Sequence, residues 1–468
     1  MKKQVIAILS LIILFTTSIT AYATSNLDAP KEDVWPEGPN VYAESAIVME
    51  ASSGLVLYEK NMNDVNYPAS ITKIMTCLLA IENSSLGDIV TFSKDAIFNV
   101  DMDSSRIGID VGEQLTMQQC LYAILLESDN VAAYAVAEHI SGNITAFADL
   151  MNEKAKSIGC LNTNFTNPNG LPDDAHVTSA YDMALITRAA MTNETFRKIT
   201  SARTYQIPPT NLQSEIRYLR NHHRFVLKQD YFYDDCIGGK TGYTEKARYT
   251  LVSIAKRGDL ELICVVMRDD TNEHQYTDSQ KLLDFGFDNF SIYNIADLES
   301  SAVVQESPLF TKFNPLLSQT ETPFITDENG YIVLPNTASF EDAKKDITFL
   351  PISELTEGGN VIGTISYTYN SKYVGGVDIV YNNIENLSLT KGEKSPGEQV
   401  VEEEIPDQLK STGDLRPIII GVIIGFIVLL FGLYYAFVER PRLKRKSAYY
   451  KKKQNRKSFL DNDHINYK

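Results

Sequence analysis

The sequence predicts an α+β domain, a small all-β domain behind it, and a membrane-spanning helix near the C-terminus. Three observations carry this. Strand-like segments stand at both ends of residues 41–295 with helical runs between them, which suits an antiparallel sheet closed by its N- and C-terminal strands. From about Leu298 the helical runs stop and period-2 alternation takes over. Residues 418–438 form an uncharged apolar run of about the length that crosses a bilayer.

In chain order, residues 1–23 read as an export signal: Lys2 and Lys3, an apolar run from Val5 to about Ile19, then the small-x-small site Ala21-Tyr22-Ala23. The alternative, an N-terminal anchor, suffers from a run short for a span. Residues 24–40 are a polar arm with Pro30, Pro39 and the single tryptophan, Trp35. Residues 46–51 and 55–58 flank Ser52-Ser53-Gly54 as a hairpin. Pro68 and Ala69 lead into a helix starting near Ser70, apolar on nearly every face and therefore buried. A second helix covers 115–126 with Thr116-x-x-Gln119 as a capping box, and an alanine-rich third covers 131–140. Asn167-Pro168-Asn169-Gly170-Leu171 is a turn-dense loop, followed by a helix over 180–192. Strands at 249–255 and 260–267 turn at Gly258, and Lys281 to Phe287 closes the domain.

In the all-β domain, 296–390, Ile365, Tyr367 and Tyr369 share one face of a strand, and Val377, Ile379 and Tyr381 share a face of the next. Residues 391–416 are a solvated linker to the span. The tail, 439–468, has eleven Lys/Arg against three acids, so it belongs in the cytoplasm with the body outside. Its basic cluster also suits an anionic lipid surface. Setting aside +8 for the tail and +2 for the signal, the net charge of −17 leaves the body at −27. Such a body repels phosphate, which excludes nucleic acid as a partner. The five cysteines have no metal-like spacing and are expected as free thiols; six histidines without paired helical spacing argue against a metal.

The chemistry concentrates in three motifs. Ser70-x-x-Lys73 puts both side chains on one helical face, one turn apart. The helix N-terminus favours negative charge developing at Ser70, and a serine beside a desolvated lysine is an activated nucleophile. The bland alternative is Ser70 as an ordinary N-cap. The same spacing recurs at Ser388 and Lys391 in a polar stretch. Ser128-Asp129-Asn130 follows 58 positions after Ser70, and Lys240-Thr241-Gly242 a further 112 on, partners that the Ser388 pair lacks. In this order the three form the signature of penicillin-interacting serine enzymes.

Residues 41–290 resemble the D-alanyl-D-alanine carboxypeptidases, the low-molecular-mass penicillin-binding proteins. The likeness extends to Leu125-Leu126-x-Ser128, Asn167-Pro168-Asn169-Gly170-Leu171, Thr178-Ser179-Ala180-Tyr181-Asp182-Met183-Ala184 and Leu282-Leu283-Asp284-Phe285-Gly286-Phe287. The segment 298–385 is more loosely similar to that family's C-terminal domain. The resemblance implies the fold shared with serine β-lactamases and a peptidoglycan stem pentapeptide as substrate. It also implies β-lactams as covalent inhibitors, and no cofactor. It assigns Ser70 as nucleophile, Lys73 as base, Lys240 as the cation that lowers the Lys73 pKa, and Ser128 as a bridge from Lys73 to the leaving amine. Asn130 would hold the substrate amide, the backbone N–H groups of Ser70 and Tyr243 would form the oxyanion hole beside Gly242, and Thr241 with Lys240 would bind the terminal carboxylate. Asp129 reads as structural, His222 and His223 as a solvated loop, and Tyr231 and Tyr233 as packing.

Two departures stand out. Arg248 occupies a position where the family usually has glycine; it would either crowd the strand or reach the substrate carboxylate. Residues 418–438 read as a true span where many relatives use an amphipathic helix. Two rival functions are a serine β-lactamase and a non-catalytic wall-binding scaffold.

Overall fold

The computed structural model describes residues 35–298, 324–326, 330–350 and 361–381. The signal, the start of the arm, the linker, the span, the tail and the Ser388–Lys391 pair lie outside the described residues.

The N-terminal hairpin forms around one carboxylate. Glu50 Oε1 accepts from Ser52 N at 2.9 Å and Oε2 from Ser53 N at 2.7 Å, turning Ser45–Glu50 back into Val56–Lys60. On its other side Ser45–Glu50 pairs antiparallel with Leu260–Asp269. The five-stranded sheet therefore runs Val56–Lys60, Ser45–Glu50, Leu260–Asp269, Arg248–Arg257, Cys236–Thr244, closed by both ends of the domain as the sequence predicts. Cys236–Thr244, which carries Lys240-Thr241-Gly242, is an edge strand.

Alternation assigns the two faces of this sheet. Ile47, Met49, Val252, Ile254, Ile263 and Val265 pack with the helices that follow the hairpin. Ala46, Val48, Leu251, Leu262, Cys264 and Val266 pack with Tyr276, Leu282 and Leu283 of the helix Asn272–Asn289. The expected central helix is present, with one correction. Ala69–Thr72 is a 3₁₀ turn and the α-helix runs Lys73–Asn83, its first eight residues buried. Ser70 thus sits one turn ahead of the helix. Because side chains three apart eclipse in 3₁₀ geometry, the Ser70–Lys73 pairing survives.

The second helix is Met117–Leu126; Leu115 belongs instead to a short strand, Gln114–Thr116, paired with Ile89–Thr91. The Thr116/Gln119 capping box forms, with both reciprocal bonds made, at 3.2 and 2.8 Å. Asp129 caps the third helix, Asn130–Ser141: its Oδ1 accepts from Ala132 N and its Oδ2 from Ile107 N, both at 2.5 Å. That is the structural role read for it. The fourth predicted helix is Ala180–Met191.

The second sheet runs Phe290–Asn294, Tyr331–Pro335, Lys372–Tyr381, Val361–Tyr369, Lys344–Phe349, with Phe324–Thr326 also against Lys372–Tyr381. Ile365, Tyr367 and Tyr369 are buried on one face, as alternation predicts, and join Val377, Ile379 and Ile332 in one core. All five cysteines are free; Cys77, Cys120 and Cys264 are buried.

Candidate active site

Ser70 is fixed from two sides. Ala69, the first residue of the 3₁₀ turn, takes a left-handed φ of 51°. The loop after Asn167 presses on it so closely that a Cβ at Gly170 would lie 1.9 Å from Ala69 O. From the other side comes the edge strand, where a Cβ at Gly242 would fall 2.3 Å from Thr250 Oγ1 and 3.0 Å from Ser70 N. Glycine at 242 is what lets the strand approach the serine. Thr250 Oγ1 secures the approach by donating to Pro68 O at 2.9 Å.

Lys73 is fully buried. Its Nζ lies 2.9 Å from Ser70 Oγ, 2.7 Å from Asn130 Oδ1 and 2.6 Å from the carbonyl of Asn169. Burial, and after it the charge of Lys240, holds the Lys73 amine well below the usual lysine range, with Asp129 opposing. A neutral amine has two N–H bonds and one lone pair. The two carbonyl-type acceptors engage both hydrogens, so the lone pair is left for the Ser70 hydroxyl. That is the geometry of a general base.

Lys240, also buried, donates to Ser128 Oγ at 3.1 Å and to Thr241 O at 2.8 Å, and burial brings its pKa down to about 7. Here the expected contacts change partners. The resemblance has Ser128 bridging from Lys73, yet its hydrogen bond runs to Lys240, and Lys73 reaches Asn130. The left-handed φ of 59° at Ser128 aims that residue off the end of the second helix. Asn130 retains an amide whose N–H reaches Ser105 O at a long 3.3 Å.

Ser70, Ser128, Asn130, Thr241, Gly242 and Tyr243 all line one cavity of about 740 Å³, with Lys73 and Lys240 behind its wall. Tyr243 is 55% exposed, its ring 4.6 Å from that of Tyr249. Sequence reasoning missed three groups. The Asn169 carbonyl is a backbone acceptor whose only sequence trace is the Asn-Gly turn. Arg224 and Tyr276 line the cavity without belonging to any motif.

One expectation on the 222–224 segment needs correcting and one holds. His223 is not solvated: it is buried, its Nε2 is 3.1 Å from Val252 O, and burial takes its pKa to about 4. His222 is exposed but pairs with Glu127 at 3.0 Å. Tyr231 and Tyr233 pack, as read, against Tyr276 and Phe225. Arg248 does neither of the things considered for it. It has a left-handed φ of 55° at the foot of the hairpin and pairs with Glu44 at 3.4 Å, outside the cavity lining. Glycine suits that φ, which gives a physical reason for the family's preference. Elsewhere, ligand-type atoms of Asp269, Asp270 and His274 lie within 4.8 Å of one another; His274 and Asp270 already bond at 2.6 Å.

A serine on a buried lysine, a second lysine on a neighbouring serine, and an edge strand closing the cavity define the penicillin-binding-protein class of α/β fold. A family model for D-alanyl-D-alanine carboxypeptidase matches residues 32–271, and the chain belongs to that family. Among its relatives, D-alanyl-D-alanine carboxypeptidase DacF of Bacillus subtilis is 33% identical over 327 residues, covering 69% of this chain and 80% of the relative. DacC of Escherichia coli is 30% identical over 72% of this chain and 83% of its own. Penicillin binding protein 5 from Haemophilus influenzae superposes with a TM-score of 0.57 at 26% identity, covering 74% of this chain and 98% of that one. The Streptomyces K15 DD-transpeptidase gives 0.50 at 28% identity, over 54% of this chain and 100% of its own.

Proposed function

We propose that this serine-type D-Ala-D-Ala carboxypeptidase removes the terminal D-alanine from peptidoglycan stem peptides through an acyl-enzyme on Ser70, and that β-lactams acylate the same oxygen. One observation supports the assignment of Ser70: burial, and after it Lys240, hold the Lys73 amine well below the usual lysine range, and its Nζ lies 2.9 Å from Ser70 Oγ with two carbonyl-type acceptors placed to take its hydrogens.

Lys73 takes the hydroxyl proton as Ser70 Oγ attacks the carbonyl between the two D-alanines. Charge on the carbonyl oxygen is met by the backbone N–H groups of Ser70 and Tyr243; each such donor contributes on the order of 10²–10³ in rate. Collapse breaks the C–N bond and the leaving amine takes a proton from Ser128, which Lys240 replenishes; free D-alanine departs. Water then attacks the ester, giving its proton through Ser128 to the now neutral Lys240, while Lys73 returns its proton to the departing Ser70 Oγ, so both lysines and Ser70 are restored. Thr241 and Lys240 meet the substrate's terminal carboxylate. With a pKa of about 7 in the open site, Lys240 becomes the better proton holder once that carboxylate arrives. Asn130 offers its amide N–H to the peptide.

Where the loop supplies the Asn169 carbonyl to Lys73 it carries Asn167, Pro168, Asn169 and Gly170, and its carboxylates, Asp173 and Asp174, come later and do not line the cavity. This favours a long-lived penicilloyl enzyme over a β-lactamase. The apolar residues 418–438 and the basic tail support a single span, with the catalytic body outside the cell and the tail in the cytoplasm; residues 1–23 support export.

The full chain should be labelled covalently by fluorescent penicillin and should release D-alanine from a stem pentapeptide. A Ser70→Ala chain that still did both would sink the assignment. Release of penicilloic acid within seconds would favour a β-lactamase instead. Carbonate extraction and protease shaving of intact cells test the anchor: extraction into the soluble fraction contradicts a span.

A further inference from the structure

The carboxypeptidase reading gives the terminal carboxylate to Thr241 and Lys240, which leaves the basic side chains in the cavity lining to be explained. Those among the described residues are Arg220, His222 and Arg224. Glu127 serves two of them: its Oε2 is 3.0 Å from His222 Nε2, and its charge interacts with Arg220, whose backbone N–H, not its guanidinium, donates to Oε1 at 2.6 Å. Arg224 has no carboxylate partner among the described residues. It is half-buried, and its guanidinium carbon lies 5.4 Å from the centroid of the Tyr231 ring and 5.6 Å from that of Tyr276.

The rings that brace Arg224 are themselves held. Arg224 N donates to Tyr276 Oη at 3.2 Å, and the two tyrosine rings sit 5.3 Å apart. Tyr231 holds a left-handed φ of 70°, a conformation that persists in a bulky residue only where the surroundings over-determine it. Next to Tyr276, Gln275 is 2% exposed, lines the same cavity, and its Oε1 has no partner. A guanidinium facing a cavity over aromatic rings, with its N–H fork unspent on any acid, is matched to a planar anion.

We propose that Arg224 forms a second anion subsite in this cavity, distinct from Thr241 and Lys240, that docks a carboxylate of the stem peptide. Tyr231 and Tyr276 are its positioning residues. The proposal rests on the carboxypeptidase reading for its ligand but is tested separately from it. Stem-peptide carboxylates come from the C-terminus or from residues upstream of the scissile bond, and amidation tells them apart.

In the full chain, Arg224→Gln should raise the KM for the free-acid pentapeptide about 10-fold or more, the loss of one charge-assisted hydrogen bond, with kcat within about 2-fold. Amidating the carboxylate that Arg224 reads should raise the wild-type KM alike, and Arg224→Gln should add nothing further on that peptide. If this is seen with an upstream amide, the subsite lies upstream; if with the terminal amide, Arg224 shares the terminal carboxylate and the second subsite is refuted. Arg224→Lys keeps the charge but loses the fork, and should recover only part of the affinity. Equilibrium binding of the same peptides to a Ser70→Ala chain, with and without Arg224→Gln, reads the subsite without turnover. Absence of D-alanine release by wild type would then fail the carboxypeptidase reading while leaving this test intact. Affinities that are the same with and without Arg224→Gln, across all of these peptides, would overturn the proposal.

Discussion

Two places in this molecule bury like charges together. At the site, Lys73 and Lys240 are both enclosed, and each loses basicity to burial, Lys73 further through the charge of Lys240. At the start of the helix Asn272–Asn289, Asp269 and Asp278 are both fully buried. Burial first and the charge of Asp278 next push Asp269 up to about 7. The physics is the same with the sign reversed. What differs is access and partners. Lys73 has three polar atoms within 2.9 Å, arranged so that its neutral form can accept a proton from Ser70. Neither oxygen of Asp269 has a hydrogen-bond partner, while Asp278 Oδ2 ties down Tyr42 N and Ala43 N at 2.5 and 2.9 Å. One perturbed pair sits directly behind a cavity wall, against serines that line it, and can do chemistry; the other sits in the fold and weakens it as pH climbs towards the value at which Asp269 ionises.

The comparison breaks first at its catalytic end. Lys73→Met should lower the rate of acylation by penicillin by about 10²–10⁴-fold, the usual range for a lost general base, measured with stopped-flow or gel fluorescence. Fast acylation in that variant would remove Lys73 from the mechanism. A subtler change is expected from Lys240→Met. With the neighbouring charge gone, the Lys73 pKa rises, so the acidic limb of the acylation pH profile should move to higher pH; an unmoved limb would mean that the two amines are not coupled.

The acidic end is tested by stability. A carboxyl whose folded pKa is raised binds more protons folded than unfolded, so stability falls as pH climbs from about 3.9 towards the folded value of about 7. Asp269→Asn removes that dependence. Its gain in Tm should be larger at pH 8 than at pH 5, by a few degrees at about 2–4 °C per kcal/mol; equal gains at both would contradict the burial argument. The smallest effect concerns Arg248. Relieving its left-handed φ with Arg248→Gly offsets the lost Glu44 pair, and should raise Tm by about 1–3 °C with D-alanine release unchanged. A fall in kcat/KM would return Arg248 to the site.

The three motifs were legible because the chemistry demands particular side chains at helix and strand ends. The hairpin, the Thr116–Gln119 box and the alternation at Ile365, Tyr367 and Tyr369 were legible because they are local. What the sequence hid was long-range or made of backbone. The carbonyl of Asn169 has no letter of its own, and it reaches Lys73 across 96 positions. His223 looked solvated beside His222 and Arg224, and only its contact with Val252, 29 positions on, buries it. The partner of Ser128 could be either lysine by motif alone; the left-handed φ at Ser128 and the course of the edge strand select Lys240. Arg248 was conspicuous as a residue type, but its side chain leaves the site because the hairpin turns there.

The most direct test of the account is the titration of Lys73 itself. In the full chain, carrying ¹³C at lysine Cε and assigned by Lys73→Met, Lys73 should titrate well below the ordinary lysine value of about 10.4, and should move up in Lys240→Met. A Lys73 resonance that titrates near the ordinary value, with or without Lys240, would contradict it.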